Sequence, residues 1–174
     1  MKCLPFVLAA LSLWSVASAG AQDAAQTLPP DHPDYRAVRA ILDANGLTKK
    51  KVEGVAVIEN GRVVELYLQE GGVRVLGDEI GRLAQLRKLH VYGDPELGLP
   101  LLEKVSPELA RCVHLEELLL NGNDLSALPE ELADLRKIRV LSVADNRLGP
   151  LPPRLEAWIK RHDPVGSSRQ RPRP

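Results

Sequence analysis

Cysteine is almost absent, with only Cys3 and Cys112 in 174 residues. Aromatic residues are nearly as scarce: two Trp, three Tyr and one Phe. Neither sign of charge is in surplus, with 23 Lys plus Arg against 23 Asp plus Glu. Each shortage excludes something. Two cysteines, one of them at position 3, do not make a disulfide-stapled scaffold. So few rings cannot build a core of stacked aromatics. Balanced charge argues against a dedicated nucleic-acid binder, which carries a basic excess. Also missing is an apolar run of the roughly 20 residues that a bilayer crossing needs. The length suits one domain of ordinary size.

What the chain has is leucine, 30 residues of it, within a hydrophobic fraction of 44%. That composition is not that of a disordered chain.

The first residues stand apart from the rest. Lys2 gives a positive start, Leu4 to Val16 is apolar apart from Ser12 and Ser15, and Ala17-Ser18-Ala19 follows. This three-part layout predicts a secretory signal over residues 1–19 and an exported chain, secreted or periplasmic. Cleavage after Ala19 removes Lys2 and Cys3, leaving 22 basic against 23 acidic residues and Cys112 as the one thiol. Residues 20–34, with Pro29, Pro30 and Pro33, show no apolar periodicity and are expected to be a linker.

The rest is organised by repetition. Four segments align: VVELYLQEGGV from Val63, LRKLHVYGDPEL from Leu86, LEELLLNGNDL from Leu115 and IRVLSVADNRL from Ile138. Their starts are 23, 29 and 23 residues apart. Apolar columns run through all four: Val63, Leu86, Leu115, Ile138; Leu66, Leu89, Leu118, Leu141; Leu68, Val91, Leu120, Val143. Gly71, Asp94, Asn123 and Asn146 share the ninth position. Further columns follow once six extra residues in the second unit are allowed: Leu76, Val105, Leu128, Leu151; Ile80, Leu109, Leu132, Leu155; Leu83, Cys112, Leu135, Trp158.

Alternation at the start of each unit predicts a short strand with its leucines inward. Leu128, Leu132 and Leu135, spaced by four and three, suit one face of a return helix that starts at Pro129. An asparagine at position 9 can satisfy backbone groups in the bend after the strand, and only the last two units have it. No unit buries its inner face alone, so the units must stack.

The pattern L-x-x-L-x-L-x-x-N-x-L, then x-x-L-P-x-x-L-x-x-L, resembles the leucine-rich repeat family. The resemblance covers Val63 to Trp158 and is strongest in LEELLLNGNDLSALPEELADL and IRVLSVADNRLGPLPPRLEAW. It implies an α/β leucine-rich repeat solenoid: a short right-handed horseshoe segment with parallel strands on the concave side and helices or turns on the convex side. Residues 63–161 would form about four repeats, with an insertion near 95–102. PELGLPLL, from Pro95 to Leu102, would either fold into the core or stand out as an apolar lip. Before the repeats, residues 35–62 predict a cap. Tyr35 to Asn45 suits a helix stopped by Gly46, and Asn60-Gly61 between VAVI and VVELYL signals a hairpin. This layout is similar to the amino-terminal caps of secreted leucine-rich repeat proteins, without the cysteine pair and tryptophan usual in plants. Residues 162–174 predict a disordered basic tail. From Lys160 on, Lys160, Arg161, Arg169, Arg171 and Arg173 face Asp163 alone, a local charge of +4 and a secondary contact for an anionic surface.

Chemistry is sparse. Phosphate-loop, dinucleotide, zinc-protease and nucleophile-elbow motifs are all lacking, so no cofactor, metal or catalytic residue is expected. His32, His90, His114 and His162 have no metal-ligand spacing. Cys112 takes a core column, as buried cysteine does, while His114 precedes the next strand and should face solvent. Glu116-Glu117 and Glu130-Glu131 are adjacent, and in a strand neighbours point to opposite faces. Function is therefore sought on the outward strand positions: Glu65, Tyr67, Gln69; Lys88, His90, Tyr92; Glu117, Leu119, Asn121, with Val140, Ser142 and Ala144 beyond. Tyrosine, histidine and leucine exposed together are the composition of a contact patch. The function expected is binding of another protein, not catalysis and not nucleic-acid binding. The alternative is a structural component of a cell envelope held by its basic tail.

Overall fold

The computed structural model describes residues 27–68, 72–93, 98 and 100–172. The expected signal, Gln69, Gly71, Asp94 and half of the insertion lie outside the described residues.

The chain enters through helix α1, Pro33–Ala44. His32 caps it, with Nδ1 accepting from the Asp34 N–H at 3.2 Å, and Pro33 takes the first turn, where its missing N–H costs nothing. The helix thus starts two residues before the expected Tyr35. It reaches into the segment expected to be linker, where Leu28 and Asp34 are buried as well. The reason is a partner that the composition hid. The Asp34 carboxylate accepts from Arg62 Nε at 2.9 Å, Arg62 Nη2 at 3.1 Å and the Val63 N–H at 2.9 Å. Val38, Ile41 and Leu42 face inward, and the chain turns off at Gly46, whose φ is +73°.

Strands β1 (Ala56–Glu59) and β2 (Arg62–Tyr67) form an antiparallel hairpin. Asn60 and Gly61 both have positive φ, 51° and 71°, as a type I′ turn requires. Three further strands add in parallel: β4 (Lys88–His90), β6 (Glu117–Leu119) and β7 (Val140–Ser142), giving the order β1-β2-β4-β6-β7. A small second sheet pairs β3 (Val75–Leu76) with β5 (Lys104–Val105). It stops there because Ser106 donates its N–H to the Leu76 carbonyl at 2.8 Å, whereas the same place in the next unit holds Pro129, which has no N–H.

The register places Leu66, Leu89, Leu118 and Leu141 side by side, all buried. The other repeat columns are buried with them, except that Leu151 is only partly covered. Leu102 is fully buried too. It stands in the column of Leu125 and belongs to the core, not to an exposed lip.

The return segments are shorter than a regular helix. They are single 3-10 turns at Asp78–Arg82, Pro107–Arg111 and Glu130–Asp134. A 23-residue circuit must be back at the next strand within a few residues, and the tighter helix suits so short a run. Only after the last strand, with no further strand to reach, does a ten-residue helix form, α2 at Pro153–His162, burying Leu155, Trp158 and Ile159.

Residues 163–172 do not run free, as a disordered tail would. They turn back after α2 and lie along the segment that follows β7. Arg171 donates its N–H to the Asn146 carbonyl, and Asp145 donates to the Arg169 carbonyl at 2.7 Å. An open sheet edge presents backbone groups that need partners, a demand invisible in the tail's own composition. No described helix is long and apolar enough to cross a membrane.

Candidate functional site

Because β2, β4, β6 and β7 pair in register, the outward residues form rows. One row is Glu65, Lys88, Glu117, Val140, and the next is Tyr67, His90, Leu119, Ser142. Tyr92, Asn121 and Ala144 lie two residues further along. Gln69, expected beside them, lies outside the described residues.

The first two rows form one polar lattice across three strands. Lys88 Nζ lies 2.8 Å from Glu65 Oε1, and the Tyr67 hydroxyl donates to Glu65 Oε2 at 2.5 Å. His90 Nε2 is 2.9 Å from Glu117 Oε1. The Tyr67 and His90 rings meet edge to face. Sequence reasoning picked these residues separately and missed the lattice. The signal was there in the alternating signs of Glu65, Lys88 and Glu117, which share one column of the alignment.

The electrostatics follow from these contacts. Partial burial pushes the Glu65 carboxyl up. The hydrogen bonds from Lys88 and Tyr67 and the nearby charges of Lys88 and Arg87 outweigh it, so the net shift is downward. The Tyr67 hydroxyl is raised, first by its bond to Glu65 and then by burial. Lys88 is raised by the same carboxylate.

Beyond the lattice the face turns apolar. Tyr92 is 44% exposed and Val140 47%, with half-buried Leu119 on the strand between them. A groove lies elsewhere. It runs along β5 towards Pro129 and is lined by Lys104, Asp124 and Arg147, among others. It marks where the second sheet stops.

Elsewhere the candidate chemical groups are occupied structurally. Cys112 is buried, its thiol donates to the Ile80 carbonyl at 3.3 Å, and burial pushes its pKa up to about 12. His114 Nδ1 lies 2.9 Å from Lys137 Nζ, not against the thiol. Glu116 and Glu117 diverge, Glu116 to Arg139 and Glu117 to His90. Among the described residues no cluster of His, Cys, Asp and Glu is arranged to hold a metal ion.

Repeated strands in parallel register, buried leucine columns and asparagines bracketing successive units make up a leucine-rich repeat fold. A leucine-rich repeat protein of Leptospira interrogans matches at 24% identity, over 58% of this chain and 24% of that one, with a TM-score of 0.46. The ectodomain of the Arabidopsis thaliana receptor kinase GASSHO1/SCHENGEN3 matches at 25% identity, over 60% of this chain and 13% of that one, with a TM-score of 0.48. The ectodomain of the Arabidopsis receptor kinase SOBIR1 matches at 22% identity, over 71% and 85%, with a TM-score of 0.44. The chain thus spans about a quarter of the Leptospira protein and about an eighth of the GASSHO1/SCHENGEN3 ectodomain. No family model and no curated protein matches the chain.

Proposed function

We propose that the chain is an exported protein-binding module whose exposed sheet face is the concave side of a short right-handed horseshoe. The carrying observation is the composition of that face. Tyr92, Leu119 and Val140 stand exposed or half-exposed beside a lattice that holds Tyr67 and His90 in place. Aromatic and aliphatic groups on a rigid surface favour protein contact, because little side-chain freedom is lost on binding. Four repeat strands make a short surface, so the expected affinity is modest.

The test is affinity capture from the protein's own source by the immobilised chain starting at Gly20. Tyr67→Ala with Tyr92→Ala should abolish capture of the partner, and removal of residues 163–174 should not. The reverse result would favour attachment to an envelope through the tail. That alternative has little support in the geometry, since Arg169 pairs with Asp145 and Arg171 reaches Asp124.

A further inference from the structure

Each strand of the repeat array hands the same backbone groups to its successor. The N–H at the sixth position donates to the next strand's carbonyl: Leu68 to His90, Val91 to Leu119, Leu120 to Ser142. The N–H at the eighth does likewise: Gly93 to Asn121, Gly122 to Ala144. The asparagine at the ninth accepts from the N–H of the unit before and donates back to it. Asn123 bonds Leu102 and Val91, and Asn146 bonds Leu125 and Leu120.

At β7 the array ends, yet every one of these groups is answered. Val143 donates to Asp163 Oδ2 at 2.8 Å, where a strand carbonyl would stand. Asp145 donates to the Arg169 carbonyl. Gln170 Oε1 accepts from Leu148 at 3.2 Å, and Gln170 Nε2 donates to the Val143 carbonyl at 3.0 Å, the two bonds that an asparagine makes elsewhere. Gln170 follows Arg169 by one residue where the asparagine follows its strand residue by two, and its longer side chain covers the difference. Charge is matched as well. Arg169 Nε lies 3.1 Å from Asp145, and Arg171 reaches Asp124 and the Asn123 carbonyl.

The grip is almost wholly polar. Within 163–172 only Gly166 is buried, and Val165 is 65% exposed. A segment held by hydrogen bonds, one exposed ion pair and one partly buried one opens at lower cost than the leucine core beneath it.

We propose that the edge formed by Val143, Asp145, Asn146 and Leu148 is a peptide-binding site, reversibly occupied by the chain's own residues 163–172. Its ligand class is an extended segment that brings a carboxylate, then a backbone carbonyl followed by a glutamine amide, with arginines opposite Asp145 and Asp124. This is strand addition at a sheet edge, distinct from contact on the sheet face.

The test uses the full chain. Gln170→Ala with Arg171→Ala weakens the internal segment and exposes the edge. A fluorescein-labelled peptide of residues 163–172 is then titrated in and followed by anisotropy. It should bind this variant at least about tenfold more tightly than the unaltered chain, the scale of one or two lost hydrogen bonds. A peptide carrying Gln170→Ala should lose that advantage. Equal binding to both chains, or equal binding by a scrambled peptide, overturns the proposal. Hydrogen exchange on the unaltered chain gives a second reading. The Val143, Asp145 and Leu148 amides should exchange together, well ahead of those of Leu118 and Leu120, and faster in 1 M NaCl than in 50 mM. Exchange of all five at one common rate overturns it.

Discussion

Tyr67 and His90 stand edge to face on neighbouring strands, ring centroids 4.9 Å apart and planes at 87°. Each is held a second time by a carboxylate, Tyr67 by Glu65 of its own strand and His90 by Glu117 of the next. A tyrosine and a histidine are thereby fixed upright on the face, and fixed groups lose little on meeting a partner.

The same lattice sets a pH response. Glu65 is held below the ordinary 4.5 against its own burial, so its contribution to stability is present above that value and is lost as pH falls through the lowered one. Lys88→Met removes the main opposing bond and leaves the burial. The Glu65 pKa, followed by carboxyl-carbon NMR, should then rise, and stability should begin to fall at a higher pH. An unchanged Glu65 titration would mean that the Lys88 contact is not formed in solution.

Asn146 bonds the Leu125 N–H at 3.1 Å and the Leu120 carbonyl at 2.8 Å, all in the interior. Asn146→Ala strands both groups without water, which should cost about 3 kcal/mol in urea unfolding, at one to three for each buried group left unpaired. A loss below about 1 kcal/mol would show that the bracket does not hold the units together.

Asp34 is fully buried and Arg62 partly exposed. Asp34→Ala removes three hydrogen bonds and leaves Arg62 able to reach water, so the expected destabilisation is about 3 kcal/mol, the low end for breaking a buried pair. Because α1 docks through this contact, the amide exchange of Val38 to Leu42 should quicken more than that of β6. Uniform quickening along the chain would contradict that assignment.

In the chain starting at Gly20, where it is the one thiol, Cys112, buried and with its pKa pushed up to about 12, should resist iodoacetamide at pH 8 when folded and react readily in denaturant. Rapid labelling of the folded chain would place the thiol outside the core column.

The repeat array was legible because its signal is written many times over. Leu66, Leu89, Leu118 and Leu141 each carry little information alone, but a column of four fixes strand, register and inward face together. The Asn60-Gly61 hairpin was legible for a different reason: its φ angles admit few other residues. What stayed hidden depends on single long-range partners. Nothing near Asp34 announces Arg62, and nothing in the tail announces that Gln170 would serve the last strand as Asn146 serves the one before. Whether the return segments were helices or turns stayed open, because the spacing of Leu128, Leu132 and Leu135 suits one face of either. Spacing records which side is buried, not how tightly the chain winds. On the face itself, sequence supplied the right residues, while their pairing across strands needed the register.

The units beginning at Leu115 and Ile138 meet through matching groups at corresponding positions, with Asn123 and Asn146 each reaching back one unit and Pro129 and Pro152 opening each return segment. Residues 115–137 therefore carry both halves of that joint, the reaching asparagine and the groups it bonds. In a copy inserted after residue 137, Asn123 would find in the preceding copy the Leu120 carbonyl and Leu125 N–H that Asn146 bonds now. The molecule can in principle be lengthened by one strand at a time, its reach tuned without altering either end.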